Sequence, residues 1–415
     1  MNPPGNAPAP APTPRGRWEI PFVTALLAAT VWVGCFLWTP VWQLTGIGQG
    51  DKPFLDLRNL ISAGETAQLG MDPHVKNPLD PYNRPHGYSD WWLVLGKLGI
   101  DRTDTAWVGT LLLALTLASA VWVVRPATVR EGLGLLLVLV SPPLLMAVHR
   151  ANHDLVVFVL MGIAFTGLRA EHRFARALGV VLLAVAAVLK YFPLAAVVLL
   201  LEARSRRELL GWIATYALVL LVALPSLERS FQVAVTHQPA PDWLYAFGAP
   251  VIFRNFELAS ASLLGSLLGV ALLVAGAVRW RPREAAPTGA WATPGPGFAC
   301  GAVMVVGCFL HGSSFVYKLV FALWLLPALW RPAENAAENR WRRLTWILLL
   351  AALWFEGLAA IVLNLGPFSP GAGLFLLKAS LVVEQLLTWG LIACLWGYLV
   401  VYLDRRTRAL VRNAG

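Results

Sequence analysis

Residues 177–201 read ALGVVLLAVAAVLKYFPLAAVVLLL, an apolar run broken at Lys190-Tyr191-Phe192-Pro193. Arginines flank it on both sides: Arg169, Arg173 and Arg176 before it, Arg204, Arg206 and Arg207 after it. Arginine-rich connections belong on the cytoplasmic side of a membrane. Both clusters can be there only if the run crosses and returns. Pro193 supports a break, because it removes a helix N–H and disfavours helix in the residue before it. The run therefore reads as a short hairpin with Lys190 at its outer tip. The alternative is one continuous helix, which sets Lys190 near mid-bilayer at a cost of ~2.5–3.5 kcal/mol.

Similar runs occupy 20–38, 106–124, 132–148, 154–168, 210–225, 258–278, 298–310, 315–330, 344–363 and 379–403. Several can cross a ~30 Å hydrocarbon layer. Their Leu, Ala and Val content without strict alternation argues for helices rather than barrel strands. With 57% hydrophobic and only 13% charged residues, the chain needs lipid as its solvent. The expected fold is all-α, a polytopic transmembrane helical bundle of about 11–12 spans with both termini cytoplasmic. Residues 1–17 read as a disordered tail, 18–404 as one membrane domain with a long outer loop at 41–105, and 405–415 as a basic tail. The net charge of +10 is spread in short clusters between apolar runs rather than gathered in a patch, which excludes a nucleic-acid partner. Cys35, Cys300, Cys308 and Cys394 lack metal-ligand spacing and read as buried packing.

With this topology the polar residues collect on the outer face, where chemistry or binding at a membrane surface is favoured over transport through the midplane. In the first outer loop Asp56 begins a stretch of helical spacing that stops at Gly70, expected to lie along the interface as an amphipathic helix. Asp56 is either functional or a helix cap. The segment Asn77 to Trp92, rich in Pro and aromatics and containing Arg84 and Tyr88, reads as a packed functional loop. The turn His149-Arg150-Ala151-Asn152-His153-Asp154 is either a solvated tip or a phosphate clamp built on Arg150, His149 and His153. Metal binding by the two histidines and Asp154 is the weaker alternative, since this spacing in a turn is a poor ligand signature. The turn His311 to Lys318 reads as capping and snorkelling or as part of a site, and the loop 226–257 offers His237, Asp242, Trp243, Tyr245, Arg254 and Asn255 to a sugar or head group. Glu356 and Glu384, inside apolar runs, are functional candidates or structural acids.

Several of these motifs together resemble integral-membrane glycosyltransferases of the GT-C superfamily, most closely glycosyltransferase family 87 and its bacterial relatives. Asp56-Leu57 and Gly70-Met71-Asp72-Pro73 are similar to the family's Asp after the first span and its Gly-x-x-Pro. Asn77 to Pro85 is similar to its Asn-Pro-x-Asp-Pro-x-x-Arg-Pro, although Ser89 stands where a Pro usually follows Tyr88. Ser141-Pro142-Pro143 precedes a turn that has His149 and Ala151 where the relatives carry Glu and Gly. Lys190-Tyr191-Phe192-Pro193 and Tyr317-Lys318-Leu319 are similar to two later motifs. The resemblance covers about residues 50–320. It implies transfer of a hexose or pentose from a polyprenyl-phosphate carrier to a lipid or glycan acceptor on the outer face of a bacterial plasma membrane, without metal or cofactor. Asp56 would be the general base. His149, Arg150, Asn152, Asp154, Lys190, Arg254, Tyr317 and Lys318 would bind the donor phosphate and sugar, with Arg84 and Tyr88 contributing from the first loop. A transporter or flippase of lipid-linked precursors, or a catalytically silent scaffold, are the alternatives.

Overall fold

The computed structural model describes residues 18–47, 52–237, 244–254, 260–280, 295–312, 314–331, 333 and 336–412. The expected tail at 1–17, and Asp242, Trp243 and Asn255, lie outside the described residues, as does the side chain of His237. The described residues are all-α apart from one two-stranded ribbon. Among the described residues four helices are long and apolar enough to cross a membrane, Glu19–Leu37, Arg102–Val124, Ala336–Leu365 and Gly371–Arg412, or up to six if two bent pairs each count as one span. The expected bundle of about 11–12 spans is thus only partly visible as single long helices. Val129–Leu139 and Pro142–Arg150 bend by 57°, because Pro142 and Pro143 have no N–H to continue the first helix.

The run 177–201 does turn back. The helix Arg173–Leu189 ends at Lys190, whose extended backbone leads into Phe192–Glu202. Its two ends meet: Arg204 Nη2 donates to the Ala170 carbonyl at 3.1 Å, and Arg176 Nε reaches Glu208 Oε1 at 2.7 Å. The returning limb is a 3₁₀ helix, as is Val316–Leu325. Such a helix rises about 2.0 Å per residue against about 1.5 Å for α, so fewer residues cover the same depth.

Two polar ends result. At one, Trp18 stacks on Trp122, Arg125 covers the Trp122 ring at 4.2 Å, Arg406 pairs with Glu202, and Arg342 donates to the Ala328 and Arg331 carbonyls at 3.0 and 2.6 Å. The basic segment expected as a tail continues the helix Pro370–Arg412. At the other end the first loop meets the turn that follows Arg150, and the turns at Lys190 and Lys318 join it there.

The helix Leu55–Gln68 differs from the amphipathic surface helix expected. Leu55, Asp56, Leu57, Asn59, Leu60, Ile61, Ser62, Ala63, Gly64 and Thr66 are all buried, so protein covers it on more than one side. The covering segment is Asp90–Lys97, and the approach is backbone to backbone: a Cβ on Gly96 would sit 2.3 Å from the Gly64 oxygen. Gly70, at φ +78°, ends this stretch as the spacing predicts. On the far side of the site, Ala246–Phe247 pairs antiparallel with Ser314–Phe315. Buried Glu356 accepts the Tyr245 N–H at 2.9 Å and the Tyr245 carbonyl accepts the Val316 N–H at 2.9 Å, so an acid of the bundle braces the ribbon that leads to Lys318.

Candidate functional site

Asp56 does not cap its helix. The N-cap is Phe54, in a left-handed conformation (φ 60°) with no side-chain capping bond, and its N–H donates to the His149 carbonyl at 2.7 Å. That tie carries Asp56 to the turn beyond His149. Arg150 grips the carboxylate in bidentate fashion, Nε to Oδ2 at 3.0 Å and Nη2 to Oδ1 at 2.9 Å. Asn152 Nδ2 donates to Oδ2 at 2.5 Å, and Arg84 Nη1 stands 3.6 Å from Oδ1. Burial alone would raise the Asp56 pKa, but the charge and hydrogen bonds of Arg150 outweigh it and hold it at about 2.

A second carboxylate lies beside the first. Asp154 is fully buried and pairs with Lys190 through Oδ1 and with Lys318 through Oδ2, the latter at 3.3 Å. Asn152 links the two centres, its amide nitrogen on Asp56 and its amide oxygen accepting the Asp154 N–H at 2.8 Å. Lys318 lies 3.8 Å from the Phe192 ring centre, and Lys190 lies 5.7 Å from those of both Tyr88 and Tyr317. Aromatic faces therefore line the cations, a setting in which desolvated charge interacts strongly.

The turn that carries Arg150 and Asn152 is shaped by Ala151, which holds φ 42°. Only glycine adopts that conformation without a steric penalty, and it is the position where the resembled motif has Gly. The first loop supplies a strut. Asp80 accepts from Arg84 Nη2 at 2.8 Å, Nε at 3.1 Å and backbone N at 3.1 Å, while Arg84 Nη2 also donates to the Leu55 carbonyl at 2.8 Å. Burial would raise the Asp80 pKa, but Arg84 lowers it. Asn59 joins Asp80 at 3.1 Å, and Asn77 ties Thr66 to Ser62.

Of the residues expected at the site, Asp56, Arg84, Tyr88, Arg150, Asn152, Asp154, Lys190, Tyr317 and Lys318 converge. His149 does not share the clamp: its ring turns the other way, 4.5 Å from Trp42 and 6.1 Å from Phe36, and its contribution is the backbone carbonyl that holds Phe54. Arg254 is apart from the cluster, at 3.4 Å from Ser262 Oγ. Asp80 and Asn59 escape a reading of the sequence, although the i, i+4 spacing of Asp80 and Arg84 is a usable signal. No group of three or more metal-ligating side chains occurs among the described residues.

The fold and this site define an all-α chain with apolar helices of membrane-crossing length and a buried centre of paired carboxylates and cations at one end. No family model and no curated protein matches the chain.

Proposed function

We propose that this chain is a membrane glycosyltransferase, moving a hexose or pentose from a polyprenyl-phosphate carrier to a hydroxyl of a lipid or glycan acceptor. The reaction runs at the non-cytoplasmic face of a bacterial plasma membrane, with both termini cytoplasmic. The observation that carries this reading is the convergence of Asp56 with Arg84, Arg150, Lys190 and Lys318, to which the ion pairs among the described residues add two further carboxylates, Asp80 and Asp154. The cations of this cluster exceed its acids, as the seat of an anionic donor requires.

The chemistry follows from the charges. Asp56 accepts the proton of the acceptor hydroxyl as its oxygen bonds to the anomeric carbon. The bond from that carbon to the phosphate oxygen breaks, with inversion, and the polyprenyl phosphate leaves with one more negative charge. A phosphate leaves without a general acid, so one carboxylate suffices, unlike the pair in glycosidases. The cations stabilise the growing charge. In the described state both oxygens of Asp56 are held by Arg150 and Asn152, and a carboxylate so held is a weak base. A donor phosphate competes for Arg150 and thereby releases Asp56 for proton transfer.

The transporter reading instead rests on Glu356, Glu384 and Lys190, all buried, the two acids within apolar helices. Glu384 accepts from Gln385 at 2.6 Å and Thr388 at 2.7 Å, whereas Oε2 of Glu356 is buried without a hydrogen-bond partner. The test is sugar transfer from radiolabelled polyprenyl-phosphate sugars by the purified chain in lipid, with wild type, Asp56→Asn and Glu356→Gln side by side. Transfer that is lost in Asp56→Asn and retained in Glu356→Gln is the expected result. Absence of transfer by wild type from every donor would overturn the enzyme reading.

A further inference from the structure

His153 is fully buried, yet neither ring nitrogen has a hydrogen-bond partner. It occupies the N-cap position of Asp154–Arg169, yet its side chain makes no capping bond. Its ring packs edge to face against Tyr88, with centres 4.0 Å apart, and Trp92 stands 6.2 Å away. Its neighbours in sequence are Asn152 and Asp154, which hold the two charged centres, so it lies where those centres meet. Buried polar groups in folded proteins are almost always satisfied, and one left bare calls for an explanation. A residue needed only for packing here would be better served by Phe.

The surroundings decide what partner fits. Burial, followed by the charge of Lys190, holds the imidazole well below its ordinary pKa, so it is neutral. A neutral imidazole offers one N–H donor and one lone-pair acceptor. It brings no charge to the phosphate clamp that Arg150, Lys190 and Lys318 already supply. It does complement a hydroxyl group, which both accepts and donates, and the rings of Tyr88 and Trp92 suit the C–H face of a sugar.

We infer that His153 is the residue that recognises the sugar of the donor, hydrogen-bonding a sugar hydroxyl while the cations beside it hold the phosphate. The half-buried Tyr88 ring now packs on the imidazole; on binding it swings aside and lies against the C–H face of the sugar. This rests on the glycosyltransferase reading of the same site.

Binding to the full chain in lipid nanodiscs tests it, with two probes: a medium-length polyprenyl phosphate, and the same lipid bearing mannose or arabinose. The expected result for His153→Phe is at least a tenfold loss of affinity for the sugar-bearing lipid with unchanged affinity for the sugar-free one. His153→Gln, which keeps a donor and an acceptor, should recover part of that loss. Equal retention of both ligands overturns the inference, and so does equal loss of both in the two variants, which would assign His153 to the fold or the phosphate seat. If wild type binds neither probe, the glycosyltransferase reading itself falls and this one with it.

Discussion

The two polar ends of the molecule use the same residue types for different purposes. At the arginine-rich end, cations meet acids and helix-terminal carbonyls in pairs that join neighbouring segments: Arg176 with Glu208 and the Glu171 carbonyl, Arg342 with Glu338 and two carbonyls, Arg406 with Glu202. These contacts staple helix ends together. At the Asp56 end, groups as far apart in sequence as Asp154 and Lys318 converge with an excess of cations, non-glycine residues held left-handed at Phe54, Asn83 and Ala151, and an imidazole without hydrogen-bond partners. A left-handed non-glycine residue, Arg125, occurs at the arginine-rich end too, so such strain does not by itself mark a site. Paired charges staple helix ends at one end, and an excess of cations around a buried imidazole without hydrogen-bond partners marks the candidate site at the other.

Removing charge from each end separates the two roles, and the largest effect is expected at Asp154. Asp154→Asn leaves Lys190 and Lys318 buried without a counter-charge and should cost about 3–5 kcal/mol, read as a large fall in the thermal midpoint together with loss of transfer. A variant with wild-type Tm would show that the lysines are not held by this acid. Asp56→Asn comes next. Transfer should fall by about a thousandfold, within the range for a general base, with a smaller fall in Tm than in Asp154→Asn. Full activity in that variant would remove Asp56 from the mechanism.

Acid sharpens the same contrast. The folded pKa of Asp56, about 2, lies below its ordinary value of 3.8. Its ionisation therefore contributes stability that is fully present above pH 3.8 and is lost as pH falls through about 2. The full loss should be about 2–3 kcal/mol, at about 1.4 kcal/mol per pKa unit, and should be reduced in Asp56→Asn when Tm is followed from above the higher value to below the lower one. The smallest effect is expected at the opposite end. Arg406→Ala opens a partly exposed pair with Glu202 and should cost about 1 kcal/mol or less, with the KM for donor unchanged. A raised KM there would join the two ends functionally.

The hairpin at Lys190 is legible in the sequence because two independent local signals agree, the arginines on both flanks and Pro193 within. Asp56, Arg150 and Lys190 are legible as a set because polar residues in so apolar a chain are few. The helix Leu55–Gln68 is not: its spacing reports one apolar face, whereas the covering of its other side depends on Asp90–Lys97 and on two glycines in contact, Gly64 and Gly96. His149 has the residue type of a clamp member, yet its ring faces Trp42.

Sequence alone determined that the chain is helical, that the run 177–201 reverses at Lys190 and which residues carry its few charges, because these follow from hydrophobicity, proline geometry and charge counted along neighbouring residues. Only the tertiary structure decided who pairs with whom. Arg150 holds Asp56, Asp154 takes both lysines, and His153 is left without a hydrogen-bond partner, because those outcomes depend on distances between segments that packing alone sets.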